Sequence, residues 1–189
     1  MYNSYKNSFS PVNNHSRNYS LSKYRSYRGI TSPGYDMYNG LNQQNKQILN
    51  FRLFEAARDN NMVLVKQLIQ EGANELDFAF LHATLNHNFT LAKYLLDQGA
   101  DISFFNNYPL RLAIQRSDLP MVEFLLNNGA QPREYDLNYA VTNGDLSIVK
   151  LLVQNGVRIT YSVINNAISR NYTNIADYLK NQFNKTYKQ

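Results

Sequence analysis

The amino-acid sequence predicts an all-α solenoid of about five helix-turn-helix repeats with a disordered N-terminal tail, and three observations carry that prediction. Glycines recur at Gly72, Gly99, Gly129 and Gly156, at intervals of 27, 30 and 27 residues. Sixteen residues before each stands an alanine (Ala56, Ala83, Ala113, Ala140), and the pattern extends once more to Ala167. An aliphatic pair stands three and four residues before each glycine: Leu68-Ile69, Leu95-Leu96, Leu125-Leu126 and Leu152-Val153. Matches at so many positions in one register are the signature of stacked units that cannot bury their apolar faces alone.

Residues 1–40 are dominated by Tyr, Asn and Ser and hold few aliphatic side chains, a composition that cannot offset the entropy of ordering a chain. A disordered tail is expected there. The first 50 residues carry Lys6, Arg17, Lys23, Arg25, Arg28 and Lys46 against Asp36, so the formal charge of +5 resides in them and the other 139 residues balance. In "LNQQNKQILNF" aliphatic residues return, and residues 41–51 read as a lead-in or capping helix over the open end of the array.

The repeat domain is expected over residues 52–183. Each unit opens with a helix that carries the small alanine where a neighbouring backbone must come close. The second helix follows Asn61, Asn88, Asp118 or Asp145, residues whose side-chain oxygen accepts from unpaired helical N–H groups. Pro120 falls just inside the third of these helices, where its missing N–H costs little. Apolar residues then recur at helical spacing, as in Leu64, Val65, Leu68 and Ile69, and the glycine supplies the left-handed residue that ends the helix. In "YTNIADYLKNQF" Ile175, Ala176 and Leu179 keep the inner face while Lys180 and Asn181 turn it polar outside, as a terminal unit requires. Residues 184–189 read as a C-terminal tail.

"RLFEAARDNNMVLVKQLIQEGAN" and "YPLRLAIQRSDLPMVEFLLNNGAQ" resemble ankyrin repeats over roughly residues 51–183. Pro109-Leu110 matches part of that family's Thr-Pro-Leu-His signature, and the Gly-Ala endings match well. The signature histidine is replaced by Phe54, Leu81, Arg111, Asn138 and Asn165. The shortening from about 33 residues per unit falls between the glycine and the next helix, so the family's projecting hairpin fingers should be stubby. Short, Asn-rich units of this kind resemble those of giant DNA viruses and intracellular bacteria, and imply an intracellular protein that works in the host cytoplasm.

No cysteine is present, which excludes disulfide scaffolds, thiolate zinc sites and cysteine nucleophiles. The first twenty residues lack the apolar core of a signal peptide, and no stretch approaches the length of a membrane span. Walker, G-x-G-x-x-G, G-x-S-x-G and H-E-x-x-H patterns are missing. His82 and His87 stand five apart, which spreads them around a helix instead of pairing them on a metal. Glu134 and Asp136 read as turn formers and solvated charges. The chain is expected to be no enzyme, with no cofactor and no metal.

What remains is a binding surface, because a solenoid presents a ridge of loops and a concave face of first helices. In the ankyrin-like register the exposed positions after each alanine are Arg58 and Asp59, Leu85 and Asn86, Gln115 and Arg116, Thr142 and Asn143, and Ser169 and Arg170. The inter-repeat loops add Phe104, Phe105, Tyr108, Arg133, Tyr135 and Tyr161, aromatic and Arg residues of the type that anchors interfaces. Some of these aromatics are expected to pack under the shortened loops instead. The expected partner of this monomeric module is a protein. A second reading assigns nucleic-acid contact to residues 1–40, where "NYSLSKYRSYRG" interleaves cations with tyrosines.

Overall fold

A computed structural model describes the backbone of residues 36–187 and the side chains of residues 42–185. The expected disorder of the tail lies outside the described residues up to residue 35. Contacts divide the chain into Met1–Asn42 and Gln43–Gln189. Of the first unit only the opening of a helix is described, and the repeats lie in the second.

Among the described residues there are ten helices and no strand. They are α1 (Asp36–Arg58), α2 (Met62–Gln70), α3 (Leu76–Leu85), α4 (Phe89–Asp97), α5 (Phe104–Gln115), α6 (Leu119–Asn127), α7 (Glu134–Asn143), α8 (Leu146–Gln154), α9 (Tyr161–Ser169) and α10 (Thr173–Tyr187). Odd-numbered helices open each unit and even-numbered helices close it. Helices α3, α5, α7 and α9 stack in sequence, as do α6, α8 and α10. The expected lead-in segment and the first repeat helix form one element, since α1 runs without a break from Asp36 to Arg58. At the other end α10 continues to Tyr187, through the start of the expected tail, with Phe183 packed against the core.

The register explains the stack. Ala56, Ala83, Ala113, Ala140 and Ala167 are all buried, because a larger side chain would hold neighbouring first helices apart. The next position faces the following unit: Ala57, Thr84, Ile114 and Val141 are buried, whereas Ile168 in the last unit is 47% exposed. Val65, Leu68, Leu91, Leu95, Met121, Leu125, Ile148 and Leu152 fill the core from the second helices.

All four expected caps form. The side-chain oxygens of Asn61, Asn88, Asp118 and Asp145 accept from the N–H of Leu64, Leu91, Met121 and Ile148 at 3.1, 2.9, 3.1 and 3.1 Å. Gly129 ends α6 with φ of 101°. A second left-handed position, four residues after each alanine, turns the first helix into the second. It is filled by Asn60, His87, Ser117, Gly144 and Asn171, with φ of 57°, 56°, 53°, 74° and 59°.

Candidate partner-binding site

The eleven residues expected to contact a partner fall into three groups. The first works inside the stack. Asn86 donates through Nδ2 to the carbonyl of Arg58 at 2.7 Å and to that of Ala57 at 3.4 Å. Arg116 donates through Nη1 to the carbonyl of Leu85 at 2.8 Å, and Asn143 donates to those of Ile114 and Gln115 at 2.9 and 3.3 Å. Each therefore donates to carbonyls at the C-terminus of the preceding first helix, where intrahelical partners run out. All three side chains are exposed, and their polar groups are spent on the neighbouring unit.

The second group stays at the surface. Arg58 pairs with Asp59 at 2.9 Å, and the same bond lowers the Asp59 pKa and raises that of Arg58. Gln115 is exposed. Arg170 donates to Asn166 Oδ1 within its own unit at 2.9 Å. Tyr161 is 70% exposed and its ring lies 4.8 Å from that of Phe183.

The third group converges. Arg133 and Tyr135 of the fourth unit reach Asn106, between Phe105 and Tyr108 at the start of the third unit, where the 30-residue interval places three extra residues. There Phe105, Asn106 and Asn107 form a left-handed turn with φ of 49°, 58° and 63°, and the right-handed part of α5 begins after it. For an L residue such as Phe105 this conformation costs about 1–2 kcal/mol, and less for asparagine.

Several bonds hold the turn. Asn107 is buried, its N–H donates to the Ser103 carbonyl at 2.8 Å, and its Nδ2 donates to the Gln131 carbonyl. Arg133 Nη1 donates to Asn106 Oδ1 at 2.6 Å, and the Tyr135 hydroxyl donates to the Asn106 carbonyl at 3.0 Å. Phe105 is thereby presented 56% exposed, with Phe104 and Phe78 at ring distances of 4.7 and 6.4 Å.

Two residues at this corner depart from their sequence reading. Arg111, noted only as a replaced signature residue, places its guanidinium 5.3 Å from the ring centre of Tyr108 and 5.8 Å from that of Tyr135. Asp136 is no solvated charge: it is fully buried, its Oδ2 accepts from the Arg133 N–H at 2.8 Å, and its Oδ1 has no partner. Burial pushes its carboxyl up to about 6, against the Arg133 N–H and the two guanidinia of Arg111 and Arg133. Glu134 is exposed, and its Oε1 accepts from the Thr160 hydroxyl at 2.7 Å. No sequence pattern marks the burial of Asp136, but its place three residues after Arg133 is the capping-box spacing.

His82 lies in α3, edge-on to Phe54 at 4.5 Å, while His87 lies in the turn, with Nδ1 2.7 Å from Asp118 Oδ2. Among the described residues no three His, Cys, Asp or Glu side chains gather as a metal site. No described helix is long and apolar enough to cross a membrane.

A search of curated proteins finds no match to this chain. Residues 53–136, the first three units and the start of the fourth, match the family model for ankyrin repeats in three copies. Ankyrin repeats generally serve as protein-protein interaction modules and are typically not enzymes. The helix pairs, the alanine and glycine register and the family match agree that residues 53–136 are ankyrin repeats.

Proposed function

We propose that this chain is a non-enzymatic docking module that binds a protein partner at the corner between its third and fourth units. One observation carries the reading: two candidate residues of the fourth unit, Arg133 and Tyr135, brace a left-handed turn of the third that displays Phe105. Strained backbone persists only where surrounding bonds over-determine it, and here the reward is an exposed aromatic on a rigid mount. Arg58, Gln115 and Arg170 supply a polar rim on the concave face, whereas Asn86, Arg116 and Asn143 hold the units together. The test compares proteins captured from the native cell by the full chain and by its Phe105→Ser variant. Selective loss of a captured protein supports the reading, and an unchanged set refutes it.

A second reading rests on the tail, where Lys23, Arg25 and Arg28 alternate with Tyr19, Tyr24 and Tyr27. Such a segment neutralises phosphates and stacks bases. It predicts RNA or DNA binding that weakens steeply with salt and disappears when residues 1–40 are removed. Salt-insensitive binding, or binding that survives the truncation, eliminates it.

A further inference from the structure

Resting on the docking reading just given, we infer that the Phe105 side of this corner receives a short basic segment of a partner protein. A Lys or Arg side chain of that segment lies over the ring cluster of Phe78, Phe104 and Phe105 and meets the carboxylates of Asp77 and Asp101. The rings come from two units, Phe78 from α3 and the other two from the start of α5. Phe78 stands edge-to-face with Phe104 at 5.0 Å and with Phe105 at 6.4 Å, and Phe104 with Phe105 at 4.7 Å. Phe78 and Phe104 are half-buried, while Phe105 is 56% exposed.

The two carboxylates belong to the same chain segments as the rings. Asp77 precedes Phe78, and the Asp101 N–H donates to Asp77 Oδ1 at 2.8 Å. The Asp101 carbonyl accepts from the Phe104 N–H at 3.1 Å, and Asp101 Oδ1 accepts from the Ser103 N–H and hydroxyl at 2.8 and 2.6 Å. Neutral donors leave the negative charge of both carboxylates in place. Among the described residues neither lies within salt-bridge distance of a cation. On the other side of the turn Glu134 and Asp136 stand with Arg111 and Arg133, two acids with two cations, so Asp77 and Asp101 leave the six groups together negative.

A cation is the one group that rings and acids both attract. The face of an aromatic ring draws an ammonium or guanidinium, and an unpaired carboxylate draws it further. The braced turn holds the Phe105 ring in position, so less freedom is lost when the cation arrives. The same acids repel phosphates, which sets this surface apart from the polyanion contact read for residues 1–40.

Selection of random dodecapeptides displayed on phage against the immobilised full chain tests the inference. Enriched peptides should carry Lys or Arg, and added salt should weaken their binding. They should bind the double variant Asp77→Asn, Asp101→Asn at least about tenfold more weakly, because a charged hydrogen bond contributes more than a neutral one. Asparagine keeps the Oδ1 acceptors used by Asp101 and Ser103, so the urea midpoint should stay at the wild-type value, which separates lost recognition from lost folding. Peptides that need Phe105 but are indifferent to the two substitutions at Asp77 and Asp101 would overturn the basic assignment and leave the docking corner standing. Peptides indifferent to Phe105→Ser as well, or no enrichment at all, would overturn the docking reading too. Self-association of the full chain that disappears in the double variant would give the surface to a second copy and overturn its assignment to a partner protein.

Discussion

The side chain of Arg116 donates through Nη1 to the carbonyl oxygen of Leu85, 2.8 Å away and 31 residues earlier in the chain. Both stand at the ends of first helices, Arg116 as the residue that caps α5 and Leu85 as the last of α3. The bond closes an otherwise unpaired carbonyl with a charged donor from the next unit. Arg116→Ala is expected to lower stability by about 0.5–1.5 kcal/mol, the usual net worth of such a bond. Gln115→Ala, one residue earlier and exposed, is expected to change it by less than about 0.5 kcal/mol. Urea unfolding of the two variants side by side gives the ranking.

Ser117 and Gly144 occupy the same turn position, with φ of 53° and 74°. Serine is strained there and glycine is not, so Ser117→Gly should stabilise by up to about 1 kcal/mol after the added entropy of the unfolded chain. Gly144→Ala should destabilise, because the new methyl would be strained and would also stand 3.0 Å from the ring of Tyr172. Melting temperatures that move in opposite directions check both signs.

Ile114 and Ile168 share another register position but not an environment. Ile114 is buried under the fourth unit, whereas Ile168 is largely uncovered. Ile114→Ala should cost about 2–5 kcal/mol and Ile168→Ala less than about 1 kcal/mol. Denaturant midpoints measure the contrast within one residue type.

Two groups with opposite signs shape the pH dependence. Asp136 is raised from 3.8 to about 6 by burial, so its neutral form suits the fold. Its contribution is fully present below the unfolded value and is lost as pH rises through the folded one. His82 is lowered from 6.5 by burial and by the nearby Arg58 cation. Its neutral form suits the fold, so stability is lost as pH falls below that unfolded value. Thermal melts across the acid range should show Asp136→Asn losing the gain on acidification, while His82→Leu loses the opposing fall.

Much of the fold is legible because its signals are local. Asn61, Asn88, Asp118 and Asp145 announce the second helices, since a cap needs only a short oxygen-bearing side chain before an apolar stripe. Glycine announces each helix end for the same reason. The turn between the two helices escapes notice because Asn60, His87, Ser117 and Asn171 fill a left-handed position that only Gly144 marks. The three-residue turn at Phe105 carries no glycine at all, and its φ values follow from contacts with Gln131, Arg133 and Tyr135 in the next unit. Asn86, Arg116 and Asn143 look like contact residues in sequence, because an exposed polar side chain does not reveal which carbonyl it meets. The opening of α1 is silent for another reason: residues 42–46 are all exposed, so no apolar spacing marks them as helical.

The shared register decides which side chains lie between units, and Leu125, fully buried in the closing helix of the central unit, is its most exacting position. The most direct measurement is the urea midpoint of Leu125→Ala in the full chain, followed by far-ultraviolet circular dichroism. The stack described here predicts a fall in stability of about 2–5 kcal/mol. Neighbouring units should unfold with the third, since each is held by its nearest neighbours. A midpoint equal to that of the wild type would contradict the register, and with it the placing of every residue assigned from it.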